Sequence, residues 1–222
     1  MTAVRPRFDP DSIKPQLRGR SHEYAFVVAL TLLPIMIVAA PGVGPRLVTA
    51  LYATAIAGLF GISALYHRVD WSPRARGRMK RLDHSMIFVA IAGTYTPLAV
   101  FALSGRAARV VLAVVWLGAI AGIIVRNLFP DAPKPLAAAP YLAVGWVAVF
   151  VMFDMWRSLG VAGFTLVAVG GLLYTFGALI YAFRRPNPWP HTFGYHEIFH
   201  LLVIGGATLH YISVAFVALP KA

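Results

Sequence analysis

Seven histidines are spread through a chain that contains no cysteine, so a metal held by side chains must sit on imidazole, carboxylate or water. Two pairs have spacings that can do chemistry. Ser63 and His67 stand four residues apart, as do His196 and His200, and residues at i and i+4 share a helix face. His196 and His200 can therefore place two imidazoles on one ion, with His67 supplying a third nitrogen. Three imidazoles and a fourth position held by water form the ligand set of a catalytic zinc ion. Neutral ligands leave the 2+ charge uncompensated. Asp83 could offset it, by hydrogen-bonding the bound water or by ligating directly. Ser63, one turn deeper than His67, could orient that imidazole or touch a substrate carbonyl.

The segment His196–His200 also reads H-E-x-x-H, a metalloprotease pattern in which the glutamate is the general base. The longer form of that motif needs Gly and His where this chain has Val203 and Gly206. Glu197 is also rotated about 100° from His196 on a helix. His84 neighbours Asp83 and points elsewhere, as an interfacial residue would. His191 lies in a Pro-rich loop and reads as solvated. Asp131 and Asp154 fall at helix ends, where solvation or pairing suffices. His210 lies about 15 Å beyond His200 along a helix, too far for the same ion. It reads as a hydrogen-bond partner for a neighbouring helix or as a cavity-lining group. Each histidine alone also reads as an interfacial residue with its polar tip turned to water; the joint pattern carries the metal reading.

The elements that must position these residues are membrane helices. The chain has 222 residues, 59% hydrophobic and 13% charged, against about 25% charged in a soluble domain. That excludes a disordered chain and an ordinary soluble enzyme. Seven apolar runs are each near the spanning length of about 20 residues: roughly 24–40, 47–67, 83–103, 108–128, 136–154, 162–183 and 197–219. Pro/Gly or charge clusters divide them, among them PGVGPR at 41–46, the basic stretch 68–82, PDAPKP at 130–135 and RSLG at 157–160. The net charge of +12 would suggest nucleic acid in a soluble protein. Here the basic residues flank apolar segments, so the charge reads as membrane topology and no nucleic-acid partner is expected. With the N-terminus in the cytosol, fifteen of the 20 Lys and Arg fall on inner segments and five on outer ones, as the positive-inside rule requires. The expected architecture is an all-α integral membrane protein. It comprises a basic cytosolic arm over 1–22 and a seven-transmembrane helix bundle over 23–222, N-terminus cytosolic and C-terminus outside. Pro97, in Gly93-Thr94-Tyr95-Thr96-Pro97, should kink the third helix, with neighbouring hydroxyls able to satisfy freed carbonyls. Gly118 and Gly122 form a small-xxx-small pattern read as close packing within the bundle.

This topology gives the polar residues a depth. Ser63 and His67 end the second helix, Asp83 and His84 begin the third, and His196 and His200 begin the seventh, all at the cytosolic face. Ionisable groups in membrane segments are costly and tend to be functional. The set Ser63-Ala-Leu-Tyr-His67, Asp83, Gly93-Thr-Tyr-Thr-Pro97 and Gly194-Tyr-His-Glu-Ile-Phe-His200, followed by His210-Tyr211, resembles the hemolysin III family. That family belongs with the progestin and adipoQ receptors, including the adiponectin receptors, and is grouped more loosely with alkaline ceramidases. The resemblance runs from about residue 20 to the C-terminus. It implies seven helices with a cytosolic N-terminus and zinc near the inner leaflet of a bacterial plasma membrane. It also implies His67, His196 and His200 as ligands, Asp83 holding the zinc-bound water and Ser63 behind them. Glu197 is Gln in the adiponectin-receptor version of the motif. The leading expectation is a zinc-dependent hydrolase of a membrane-lipid amide or ester. Asp83 would be its general base and Ser63 a group for the oxyanion. The alternatives are a lipid or membrane-state sensor with structural zinc, a pore-forming haemolysin, and an intramembrane protease.

Overall fold

The computed structural model describes residues 14–222; of the basic arm expected over 1–22, residues 1–13 lie outside the described residues. The described chain is helical: α1 (Arg20–Ala39), α2 (Val43–Arg68), α3 (Pro73–Ala102), α4 (Gly105–Leu128), α5 (Lys134–Gly145), α6 (Met152–Phe183) and α7 (Tyr195–Ser213). A 3₁₀ turn over Trp146–Val151 joins α5 to α6, and a π turn over Val214–Ala218 extends α7. Among the described residues six helices are long and apolar enough to cross a membrane, counting Lys134–Phe183 as one run of 50 residues. That run is broken at Gly160, whose φ of 68° and ψ of −176° are not helical. Large apolar side chains point outward, among them Phe150, Leu117 and Phe176. Such a surface is paid for only if lipid covers it. The chain is a multi-pass helical membrane protein.

Consecutive helices pack side by side, and α1 also touches α7. α3 contacts α2, α4, α5, α6 and the turn after α7, which makes it the central helix. Two glycines let it sit there. A Cβ on Gly93 would lie 2.4 Å from that of Ala55 on α2, and one on Gly122 of α4 would lie 2.2 Å from the Phe88 ring. Gly118 faces Val144. The small-residue pattern in α4 therefore serves packing inside the bundle.

α3 starts ten residues before the apolar run expected at 83. The basic stretch is no loop: Pro73 occupies the first turn, where its missing N–H costs nothing. The Arg, Lys and Met residues that follow are good helix formers. α3 then runs unbroken through Pro97. The hydroxyls of Thr94 and Thr96 donate to the carbonyls of Ala90 and Ala92, at 2.8 and 2.9 Å. Tyr95 supports the 3₁₀ turn: its hydroxyl donates to the Gly145 carbonyl and accepts from the Ala148 amide, both at 2.6 Å. Irregular backbone at membrane depth needs such partners.

Polar contacts define the two ends of the bundle. At one end Lys80 pairs with Asp131, Arg126 meets His84, and Lys134 donates to the Tyr195 hydroxyl. At the other, Lys221 donates to the Ser158 carbonyl.

Candidate metal centre

His67 lies in the last turn of α2, and His196 and His200 lie in the first turns of α7. The bundle brings these ends together: ligand nitrogens of the three rings all lie within 4.8 Å of one another. Nε2 of His67 and Nε2 of His196 are 3.3 Å apart. Two nitrogens held tetrahedrally at 2.0–2.1 Å from one zinc ion stand about 3.3–3.4 Å apart. The donors are all imidazole, one of the sets found in catalytic zinc sites. The residues fit the ion in their chemistry, and the His67–His196 pair fits it in distance.

Asp83 and Ser63 are both buried. Together with His196 and His200 they line one end of a cavity of about 380 Å³ that runs between α3, α5, α6 and α7. The cavity walls beyond this polar end are largely apolar, with Leu59, Ile87, Leu98, Phe164 and Leu172 among them. A volume of this size suits a small ligand or the start of an acyl chain. Ser63, Asp83, His196 and His200 thus line one cavity, and His67 meets the two α7 histidines beside it.

Glu197 has a different task. It is 2% exposed. One carboxylate oxygen accepts from the Gly194 amide at 2.8 Å, capping α7, and the other accepts from Arg18 Nε at 2.5 Å. Both oxygens are engaged, one by a backbone amide and one by a guanidinium, which removes the reason to read it as a protease base.

His84 is not a solvated interfacial side chain. It is half-buried, and its Nδ1 meets Arg126 Nη2 at 2.9 Å. Arg126 is itself buried and donates through Nη1 to the carbonyls of Phe129 and Pro130, at 2.9 and 2.7 Å. His210 joins α7 to α6 through a contact of 3.1 Å between Nε2 and the Val167 carbonyl, and its ring also lines the cavity. His191 is exposed, and Asp131 pairs with Lys80.

One residue escaped the spacing argument. His22, in the first turn of α1, is 2% exposed and lies flat on His200, ring centroids 3.8 Å apart and planes 6° from parallel. It has no i+4 partner, and no motif includes it. The depth argument that gathered His67 and His196 would have found it, because it too stands at the inner end of an apolar run.

A helical membrane bundle with three imidazoles converging beside a buried carboxylate defines the class: a multi-pass protein with a candidate metal centre at one end of an apolar cavity. The comparisons supply the family. Residues 11–211 match the family described as haemolysin-III related, and the chain belongs to it. It is 30% identical over 205 residues to Hemolysin-3 of Bacillus cereus, covering 91% of this chain and 90% of that one. It is 32% identical over 158 residues to the Hemolysin-3 homolog of Bacillus subtilis (strain 168), covering 71% of each. An adiponectin receptor protein of Drosophila melanogaster is 29% identical over 176 residues, 72% of this chain and 40% of that one.

Proposed function

We propose that this protein is a zinc-dependent hydrolase of an amide or ester bond in a membrane lipid. In this reading it spans a bacterial plasma membrane seven times, with the site near the inner leaflet. The observation that carries the reading is the meeting of three imidazole nitrogens at one end of an apolar cavity that the buried Asp83 carboxyl also lines. His67, His196 and His200 would hold the ion, which would act as a Lewis acid and lower the pKa of water to about 7. Ser63, buried and lining the same cavity, would position the Asp83 carboxyl. Asp83 takes a proton from the attacking water and returns it to the leaving amine or alkoxide. The apolar walls take the acyl chain and keep bulk water from the reacting bond. A sensor with purely structural zinc would favour a closed set of four ligands. Among the described residues Asp83 does not belong to the cluster of potential ligand atoms, which favours an open fourth position. A pore would need a continuous polar lining, and this cavity is apolar away from its histidine end.

The test is metal content and turnover in the same preparations. Wild type is expected to carry about one zinc per chain, to lose thermal stability on chelation and to release free fatty acid from lipid amides or esters. His200→Ala should lose the zinc, and Asp83→Ala should keep it but lose turnover. Undiminished turnover in both variants refutes the mechanism.

A further inference from the structure

α3 is longer than a membrane requires. Its 30 residues measure about 45 Å, against about 30 Å of hydrocarbon. The excess is the basic segment over 73–82, at the histidine end of the bundle. Two aromatic residues set the level of that segment. Arg76 lays its guanidinium over the Tyr66 ring, 5.5 Å from its centre, and the Trp71 indole N–H donates to the Leu65 carbonyl at 3.1 Å. Tyr and Trp gather where hydrocarbon gives way to headgroups.

The charges of the segment divide into two sets. Arg76 and Lys80 are satisfied inside the protein, by Tyr66 and by Asp131. Arg74, Arg78 and Arg81 stand at i, i+4 and i+7 and share one helix face. All three are exposed, and among the described residues none of them enters an ion pair. That side of α3 turns to lipid. Leu82 lies one turn below Arg78, and Val100 lies 18 residues, or five whole turns, beyond Leu82. Both are 44% exposed, so a stripe of α3 stays uncovered between its neighbours α2 and α4. The arginines carry this side of the helix on into the headgroup layer. Orientation in a membrane depends on how many Lys and Arg lie on each side. It requires neither that they align nor that they lack partners.

We propose that Arg74, Arg78 and Arg81 form a ladder that binds the phosphate of anionic phospholipids in the leaflet at the histidine end. A guanidinium presents a planar fork of N–H donors that engages two phosphate oxygens at once. Residues one turn apart on a helix have Cβ atoms about 5–6 Å apart, so two rungs can share one phosphate while the acyl chains run down past Leu82. The inference rests on the chain's crossing of a membrane, and on neither zinc nor hydrolysis.

The experiment is native mass spectrometry of the full-length protein in uncharged detergent. Phosphatidylglycerol and phosphatidylcholine with the same acyl chains are supplied in equal amounts. A basic side chain beside an anionic headgroup contributes about fivefold to binding. Two rungs on one phosphate therefore give wild type a preference of about 25-fold for phosphatidylglycerol, which weakens as salt is added. Arg78→Gln alone should cost about fivefold. Arg74→Gln/Arg78→Gln/Arg81→Gln should leave a preference of about twofold or less, while the corresponding triple Lys variant keeps the charge, loses the fork and should retain part. Arg106→Gln/Arg109→Gln/Arg157→Gln removes as many charges at the opposite end and should leave the preference unchanged. The proposal is overturned if wild type shows no preference, or if the ladder variant keeps it. Equal loss in the opposite-end variant overturns it in favour of net charge. It is also overturned if inorganic phosphate or a DNA duplex, at the same concentration as the lipid, displaces the phosphatidylglycerol.

Discussion

Glu197→Gln separates two readings of the H-E-x-x-H segment by magnitude. The substitution keeps the size of the side chain and one oxygen for the Gly194 amide, now 2.8 Å away. It removes the charge opposite Arg18, whose side chain is 16% exposed while that of Glu197 is 3% exposed. Breaking a buried pair costs about 3–5 kcal/mol when one charge is left alone. Gln still accepts a hydrogen bond and Arg18 is partly open to water, so about 2 kcal/mol is the expected loss. For a chain of this length that lowers the melting temperature by about 4–8 °C. The zinc content and the turnover per folded molecule should change little, because both carboxylate oxygens are taken up by the Gly194 amide and Arg18. A protease-type general base would behave otherwise: its loss costs about 10²–10⁴ in rate. The assay is thermal unfolding in detergent alongside zinc analysis and lipid hydrolysis on the same preparation. Unchanged stability with a hundredfold loss of rate would refute the structural role argued for Glu197.

Gly122→Ala drives a Cβ to 2.2 Å from the Phe88 ring and should destabilise the protein by about 1–3 kcal/mol. Gly118→Ala, whose new Cβ meets Val144 at 3.1 Å, should cost less; equal melting temperatures for the two would contradict the packing described. Gly160→Ala places a side chain on a backbone at φ 68° and ψ −176°, a region open essentially to glycine. A loss of about 1–3 kcal/mol is expected in the same unfolding assay, and a neutral result would show that the break does not need that conformation.

How much of this was legible in the sequence follows from which forces act locally. Hydropathy and charge bias read out the membrane helices, because lipid tolerates no alternative backbone and loops carry the basic residues. The i, i+4 spacing read out the pair on α7, and the shared depth added His67 and Asp83. The start of α3 was missed because a run of Arg and Lys marks the membrane boundary, not the helix boundary; the helix continues in water on good propensity and Pro73. His22 and the bond between His84 and Arg126 were missed because each depends on one helix meeting another. The role of Glu197 depends on Arg18, which lies 179 residues away. A local motif cannot reveal such a partner, and in this chain the motif suggested chemistry where the fold uses a cap and an ion pair.

The number of crossings bears on all of this, because an even count would return the C-terminus to the side of the N-terminus. His67 at the end of α2 meets His196 at the start of α7, so those two points share one end of the bundle. From that end α3 leads away and α4 leads back, as the pairing of Lys80 with Asp131 and of His84 with Arg126 requires. The run Lys134–Phe183 then begins where Lys134 meets Tyr195, reaches the opposite end where Ser158 meets Lys221, and must return before Tyr195. A straight run of 50 residues would measure about 75 Å, more than twice the roughly 30 Å hydrocarbon core, and the break at Gly160 allows the reversal. Seven crossings, as proposed, would place the two termini on opposite sides. The chain has no cysteine, so single substitutions report cleanly. Ala222→Cys should react with a membrane-impermeant maleimide in intact cells, and Gly77→Cys, at the basic start of α3, only after the membrane is opened. The reverse pattern would invert the orientation and move the site to the outer leaflet. Reaction of both in intact cells would mean that the termini share a side and that the run crosses once.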